Sequence, residues 1–358
     1  MLPGPRPYAG VTAAAVRLRS PGRPGHSLSR SGHSLSRPGH CLSRLGHPRR
    51  PLAVRAALGV VGLAAAALAA GCGSGQSTGA ANGQLRVVAT TTQAGDFSRV
   101  IGGGLVHVTQ LLKPNVDPHD YDPSPSDLDA LATGDVLVTN GAGLEKWLDD
   151  AVSAAGFSGT RVVMADGVAL RAGTGAEKGE PDPHIWHDPR NAKIMVTGVE
   201  KGFAAADPAH AATYQANLAH YLVQLDQLDT RDAQAIDTIP VRQRLLVTNH
   251  DAFGYYTAHY GITYVGSIIP SFDTSAELSG RDIQGIVERI RATGAKAVFS
   301  ESSLPARTAK TIGGEAGVRV IAGEGSLYAD TLGPAGSAGD TYLHAEEHNT
   351  DVIVAALR

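Results

Sequence analysis

From residue 84 onward, short runs of β-branched and apolar residues alternate with longer stretches whose apolar positions recur every three or four residues. The β-rich runs fall at 86–89, 106–112, 136–139 and 161–164, and again at 245–248, 264–268, 297–299 and 319–322. Helical periodicity occupies 126–133, 143–155, 282–293 and 305–316. Strands alternating with helices predict parallel sheets covered by helices, because two parallel neighbours need a crossover and a helix commonly supplies it. Between the two groups of strands, Tyr214, Leu218, Tyr221, Leu225 and Leu228 step by four, three, four and three and draw one apolar stripe. Asp207-Pro208 opens that helix and Pro240 follows its end. The expected fold class is therefore α/β: two α/β lobes with parallel sheets, at 84–207 and 241–358, joined by one long rigid helix at 208–237.

The first 83 residues follow other rules. Gly-His recurs every seven residues, at 25–26, 32–33, 39–40 and 46–47, in a segment rich in Ser, Arg, Gly and Pro with too few apolar residues for a core. Its four histidines could hold metal weakly; the blander reading is a disordered leader, or translation from a start codon placed too early. Arg49, Arg50 and Arg55 then precede an apolar run of 15 residues at 56–70, short for a membrane span and suited to the core of a signal peptide. The run ends in Leu68-Ala69-Ala70-Gly71-Cys72, which resembles a bacterial lipobox and implies lipidation of Cys72. Residues 1–71 are accordingly expected to be leader and signal peptide, and 72–83 a flexible tether. An uncleaved signal anchor is the alternative.

Charge divides along the same line. Ten of the 31 basic residues and none of the 34 acidic ones fall in residues 1–71, so the net charge of −3 hides a balance of −13 from residue 72 onward. An acidic body is a poor nucleic-acid binder and a reasonable collector of cations. Apart from Cys72 the only cysteine is Cys41, in the leader, so the body carries neither a disulfide nor a thiolate metal site. Any metal there must be held by histidines and carboxylates.

Candidates for such a site stand at strand ends and in loops. His119 lies in "VDPHDYDPSPSD", His184 and His187 in "PDPHIWHDP", His250 directly after "LLVTN", and Asp340 in "SAGDTYLHAEEHN". Pro183 and Pro189 exclude the regular helix that would put His184 and His187 on one face, and spacing does not choose between them. Groups at the carboxyl ends of strands in two lobes would converge in the cleft between them. Three histidines and one carboxylate make a closed four-coordinate site suited to Zn²⁺, with Mn²⁺ as the alternative. Each residue also has a plainer reading. A lone loop histidine is ordinarily a surface or hydrogen-bonding group, and a Gly-Asp-Thr turn ordinarily caps a helix.

At these residues the chain resembles the metal-specific solute-binding receptors of ABC importers, the zinc/manganese group also called cluster A-I. The resemblance spans about residues 84–358 and rests on "PHDYDPSPSD" (118–127), "DPHIWHDPRN" (182–191), "TNHDAFGYYTAHYGI" (248–262) and "GDTY" (339–342), in that order. It implies metal ligands at His119, His184, His250 and Asp340, two α/β lobes bridged by one rigid helix, and metal in the inter-lobe cleft. It also implies that His187 stands where the family is often apolar, as a group behind the ligands or at the cleft edge, with Asp188 a loop cap. The insert "RAGTGAEKGEPD" lacks the histidines that zinc-specific members often carry there, and the last helix opens less apolar than in many relatives. Two features lie outside the four motifs. "HAEEH" (344–348) fits a zinc-peptidase pattern but leaves too little chain for the further carboxylate that such a site needs, and reads as a solvated helix face. Glu301 is either an extra oxygen donor or a satisfied loop acid.

The function these readings imply is capture of a divalent transition metal, Zn²⁺ first and Mn²⁺ second, by a monomeric, non-enzymatic receptor. It would be anchored outside the cell membrane by its lipid, bind no nucleic acid, and deliver metal to an ABC permease driven by its ATPase. A secreted zinc hydrolase, with three histidines on the metal and a carboxylate as base, is the alternative from another class. A metal-retaining surface adhesin is a third.

Overall fold

The computed structural model describes residues 83–173 and 177–358. The leader, the apolar run at 56–70, Cys72 and the tether as far as residue 82 lie outside the described residues. Among the described residues no helix is long and apolar enough to cross a membrane.

Four strands, β1 (Leu85–Ala89), β2 (Val106–Gln110), β3 (Val136–Thr139) and β4 (Thr160–Val163), form a parallel sheet in the order β2-β1-β3-β4. Alternate residues serve opposite faces, and on the central strands β1 and β3 both faces are buried, which explains why these two read as near-continuous apolar runs while the edge strands β2 and β4 carry His107, Gln110 and Arg161. Val87, Ala89, Val136 and Val138 pack on one side against Phe97 and Ile101 of α1 (Thr92–Gly102) and against α4 (Pro189–Ala206). Val88 and Leu137 pack on the other, with Leu131 of α2 (Pro125–Thr133) and Ala151 of α3 (Leu148–Ala155). The helix expected from residue 143 begins only at Leu148. Gly141, Ala142 and Gly143 all take positive φ, a turn that ends the strand and cannot enter a right-handed helix.

The long helix, α5, runs Ala211–Asp237, preceded by a single 3₁₀ turn at Pro208–His210. Its 27 residues span about 40 Å. The predicted stripe from Tyr214 to Leu228 is buried in the core of the first sheet, while Ile236, near the helix end, joins a second core. One rigid element thus contributes to both.

The second core is built on two parallel pairs: β5 (Leu245–His250) with β6 (Thr263–Ile269), and β7 (Ala297–Phe299) with β8 (Arg319–Ile321). Leu246, Ala297 and Phe299 face α9 (Tyr342–Leu357), α6 (Gly254–His259) and the end of α5. Val247 and Val298 face the opposite way, onto Ile286 and Ile290 of α7 (Gly280–Thr293) and Ile312 of α8 (Arg307–Ala316). Capping boxes fix two helix starts, Ser124 with Asp127 for α2 and Ser279 with Asp282 for α7. Among the described residues the pairings of β1 to β8 are parallel, so the loops that leave the carboxyl ends can carry a site.

Candidate metal centre

Each histidine is aimed by a carboxylate close to it in sequence or space. His119 sits in the loop after β2, where its backbone N–H donates to Asp117 Oδ1 at 2.9 Å and the Trp147 indole holds Pro118 through its carbonyl at 3.1 Å. His184 precedes the 3₁₀ turn Ile185–His187. Its backbone N–H and its ring Nδ1 both meet Asp182 Oδ1, at 3.0 and 2.9 Å. His250 is the last residue of β5, and one Glu301 carboxylate takes both its backbone N–H, at 3.0 Å, and its Nδ1, at 2.6 Å.

With Nδ1 engaged, the Nε2 atoms of His184 and His250 face one another at 3.2 Å. His119 stands beside them, its ring centroid 5.4 Å from that of His184 and 5.9 Å from that of His250. The fourth member is Asp330, whose Oδ1 lies 3.2 Å from His250 Nε2 and 3.4 Å from His184 Nε2. One ligand atom from each of His119, His184, His250 and Asp330 lies within 4.8 Å of all the others. His184, His250 and Asp330 are wholly buried. Neither Asp330 oxygen makes a hydrogen bond despite its short distances, and His119 Nε2 is likewise buried without a partner.

Such an arrangement is costly unless something positive occupies it, because buried polar groups left unpaired carry a desolvation penalty. The titration behaviour says the same. Burial pushes His119 down to about 3, so it is a neutral imidazole at physiological pH. Burial works against charge on His184 and His250 as well, but Asp182, Asp330 and Glu301 outweigh it and raise both. Burial would raise Asp330, yet the three histidines hold it well below the usual carboxylate range. Three imidazoles and an ionised carboxylate, each directed inward, form a nitrogen-rich donor set that a divalent transition ion fits. A proton on His184 or His250 is the ion's competitor.

The structure brings His119, His184 and His250 together as expected but does not bring Asp340 into this group. Asp340 lies before α9, where its Oδ1 is bound to His344 Nδ1 at 2.8 Å and its Oδ2 accepts from the Gly336 N–H at 2.9 Å; both are local turn contacts. The carboxylate in the cluster belongs to the 327–332 segment, which continues beside the end of β7 through a bridge between Glu301 and Leu327. The chain is pinned there by Gln93, donating to the Asp330 carbonyl at 3.0 Å, and by Trp186, donating to the Ala329 carbonyl at 2.9 Å. In the sequence Asp330 is the lone acid of "LYADTL", and in the structure every residue of that run but Tyr328 is buried.

Four further residues lie outside the cluster. Glu301 is the acid that orients His250. His187 is wholly buried with its Nδ1 on Glu346 Oε1 at 2.9 Å and its ring stacked on Phe253 at 4.3 Å, outside the four-residue cluster. Within "HAEEH", Ala345 and Glu346 are buried, His344 is exposed, and Glu347 and His348 are half-buried, so only part of the motif is the solvated face expected. Asp188 caps α4, accepting from the Arg190 N–H at 2.9 Å.

Residues 87–356 match the family described as zinc-uptake complex component A, periplasmic. The chain belongs to that family. It is 34% identical over 292 residues to the manganese-binding lipoprotein MntA of Bacillus subtilis (strain 168), covering 80% of this chain and 94% of that one. It is 31% identical to the zinc-binding protein TroA of Treponema pallidum (strain Nichols), over 79% of this chain and 92% of the relative. The solved structure of the periplasmic zinc-binding protein TroA from Treponema pallidum superposes with a TM-score of 0.71 at 29% identity, over 77% of this chain and 99% of that one. Relatives of this family thus include proteins named for manganese and for zinc.

Proposed function

We propose that the protein is an extracytoplasmic substrate-binding receptor that captures one divalent transition metal ion and passes it to an ABC permease and its ATPase. The ion is held by the Nε2 atoms of His184 and His250, by His119 and by a carboxylate oxygen of Asp330. The observation that carries this reading is the pair of inward-facing Nε2 atoms 3.2 Å apart, with their Nδ1 atoms on carboxylates and an Asp330 that has no hydrogen bond of its own. The family membership and the metal-binding names of the relatives support it.

Zn²⁺ is the first choice of cargo and Mn²⁺ the second, because three imidazoles and one carboxylate favour zinc by ligand type while both metals appear among the relatives. The receptor is not an enzyme in this reading. Four protein groups, three of them buried, would fill a four-coordinate shell around the ion and leave no position for the activated water that a hydrolase requires. Cys72 supplies a lipid anchor, in keeping with the description of MntA as a lipoprotein. The receptor works as a monomer of two lobes, near 84–207 and 241–358, joined by the rigid helix α5. Metal analysis of protein purified without added metal, followed by competition between Zn²⁺ and Mn²⁺, tests it. One bound ion per chain supports the reading, and a chain that takes up neither metal refutes it.

A further inference from the structure

The site's wholly buried members raise the question of how an ion gets out. The segment directly after β6, residues 271–274, runs over the site, and its hydrogen bonds to the first half of the chain pass through side chains. Ser271 Oγ donates to Glu177 Oε1 at 2.5 Å, Asp273 accepts from Lys146 Nζ at 2.6 Å, and Thr274 Oγ1 donates to Asp117 Oδ2. Between them Phe272 is buried, with its ring centroid 6.1 Å from that of His184. The segment is tied back to its own half by the Asp251 N–H, which donates to the Ser271 carbonyl at 3.1 Å one residue after His250.

These contacts are unequal. Lys146 is mostly exposed, so its ion pair contributes little. The Thr274 contact is of another kind, because Asp117 has two tasks. Its Oδ1 accepts the backbone N–H of His119 and its Oδ2 accepts the Thr274 hydroxyl. One carboxylate therefore joins a metal-directed histidine of the first half to the strap of the second, through hydrogen bonds to a charged acceptor, which are the stronger kind.

We infer that residues 271–274 are a strap that retains the bound ion, and that the Thr274–Asp117 hydrogen bond is its latch, with Asp117 a positioning residue that couples the latch to His119. The inference rests on the metal-receptor reading above. Opening the strap breaks side-chain contacts only and leaves the sheets intact, so release needs no unfolding of either core. Closing it returns Phe272 over His184 and restores the Asp117 carboxylate that fixes the His119 backbone.

The test is the rate at which Zn²⁺, and separately Mn²⁺, leaves the full folded chain into excess EDTA. Intrinsic fluorescence can follow it, since both tryptophans adjoin the site: Trp186 beside His184 at 5.4 Å between centroids, and Trp147 on Pro118. Thr274→Val keeps the shape and removes the hydroxyl. It should speed release by about ten- to 150-fold, the factor a hydrogen bond to a charged acceptor carries. Thr274→Ser should return the rate to within about twofold of the parent, since it keeps the donor. Release from Thr274→Val at the parent rate overturns the strap. Release from Thr274→Ser as fast as from Thr274→Val overturns it too, because the hydroxyl would then not be the latch. A parent chain that binds neither ion refutes the receptor reading and the strap with it, which separates that failure from a strap failure in a chain that does bind.

Discussion

His184 and His250 turn their Nε2 atoms toward each other at 3.2 Å while their Nδ1 atoms face away onto Asp182 and Glu301. Two lone pairs cannot share that space comfortably unless a cation or a proton lies between them, so the pair sets the chemistry of the site. Asp330 supplies the negative charge beside it. Asp330→Ala should weaken Zn²⁺ affinity by more than about 100-fold, beyond the range of a change outside the coordination shell. Asp340→Ala removes only turn contacts and should leave affinity within about threefold of the parent. Isothermal titration of both variants checks the assignment, and the reverse ranking would restore Asp340 as the ligand.

Glu301 is not in the cluster but takes two donors from His250. Glu301→Gln offers one acceptor oxygen where the carboxylate offers two, so one donor is stranded and the ring is less firmly aimed. The expected cost is about 10- to 100-fold in metal affinity, with the stoichiometry unchanged. An unaltered affinity would show that His250 needs no such support.

His187 and His184 are three residues apart and have different work to do. His187→Ala removes a ring stacked on Phe253 and strands the buried Glu346 carboxylate. Breaking a buried pair in that way costs about 3–5 kcal/mol of folding stability, whereas exchanging both partners for apolar residues is often neutral. Chemical denaturation should therefore show His187→Ala strongly destabilised and His187→Leu with Glu346→Met close to the parent. Metal affinity should stay within about 100-fold in both, while His184→Ala loses more. Equal affinity losses for His184→Ala and the stably folded double variant would contradict the division of roles.

Much of this was visible in the sequence, for physical reasons. The strands of a sheet buried on both faces must be nearly continuously apolar, and β3 and all of β1 but Arg86 read that way. The stripe on α5 was legible because a helix that lies against a core for several turns must repeat its apolar positions. Histidines fenced by prolines stood out because so stiff a loop serves to hold a side chain in place. The elements that stayed hidden have weak patterns: α1 commits only Phe97 and Ile101 as large apolar residues, and α4 follows directly on a proline-rich loop. The carboxylate was hidden for a different reason. Asp340 and Asp330 lie in neighbouring loop segments, and the choice between them depends on how residues 327–332 continue beside β7, a long-range path that no local spacing encodes.

Asp232 on α5 offers a test of stability away from the metal. Desolvation, with the nearby Glu346 charge, raises it to about 7 despite Arg231. An unfolded aspartate titrates near 4, so the folded chain binds this proton more tightly. The stability that Asp232 confers is then present in acid and is lost as pH rises from about 4 to about 7, leaving the full penalty above that. Asp232→Asn removes the penalty, and Arg231 keeps its partner Asp351 at 2.7 Å. The variant should be more stable than the parent at pH 8, by up to about 4 kcal/mol, with the gap shrinking as pH falls and closed near pH 4. A constant gap across that range, or a parent more stable at pH 8, would contradict the shift.

The central claim is that three histidines and Asp330 together hold one metal ion. A crystal of protein loaded with Zn²⁺, measured on either side of the zinc absorption edge, addresses it directly. One anomalous peak is expected, about 2.0–2.2 Å from His184 Nε2, His250 Nε2, a ring nitrogen of His119 and an Asp330 carboxylate oxygen. A peak at Asp340 and His344, a peak lacking Asp330, or no peak among the three histidines would contradict the account.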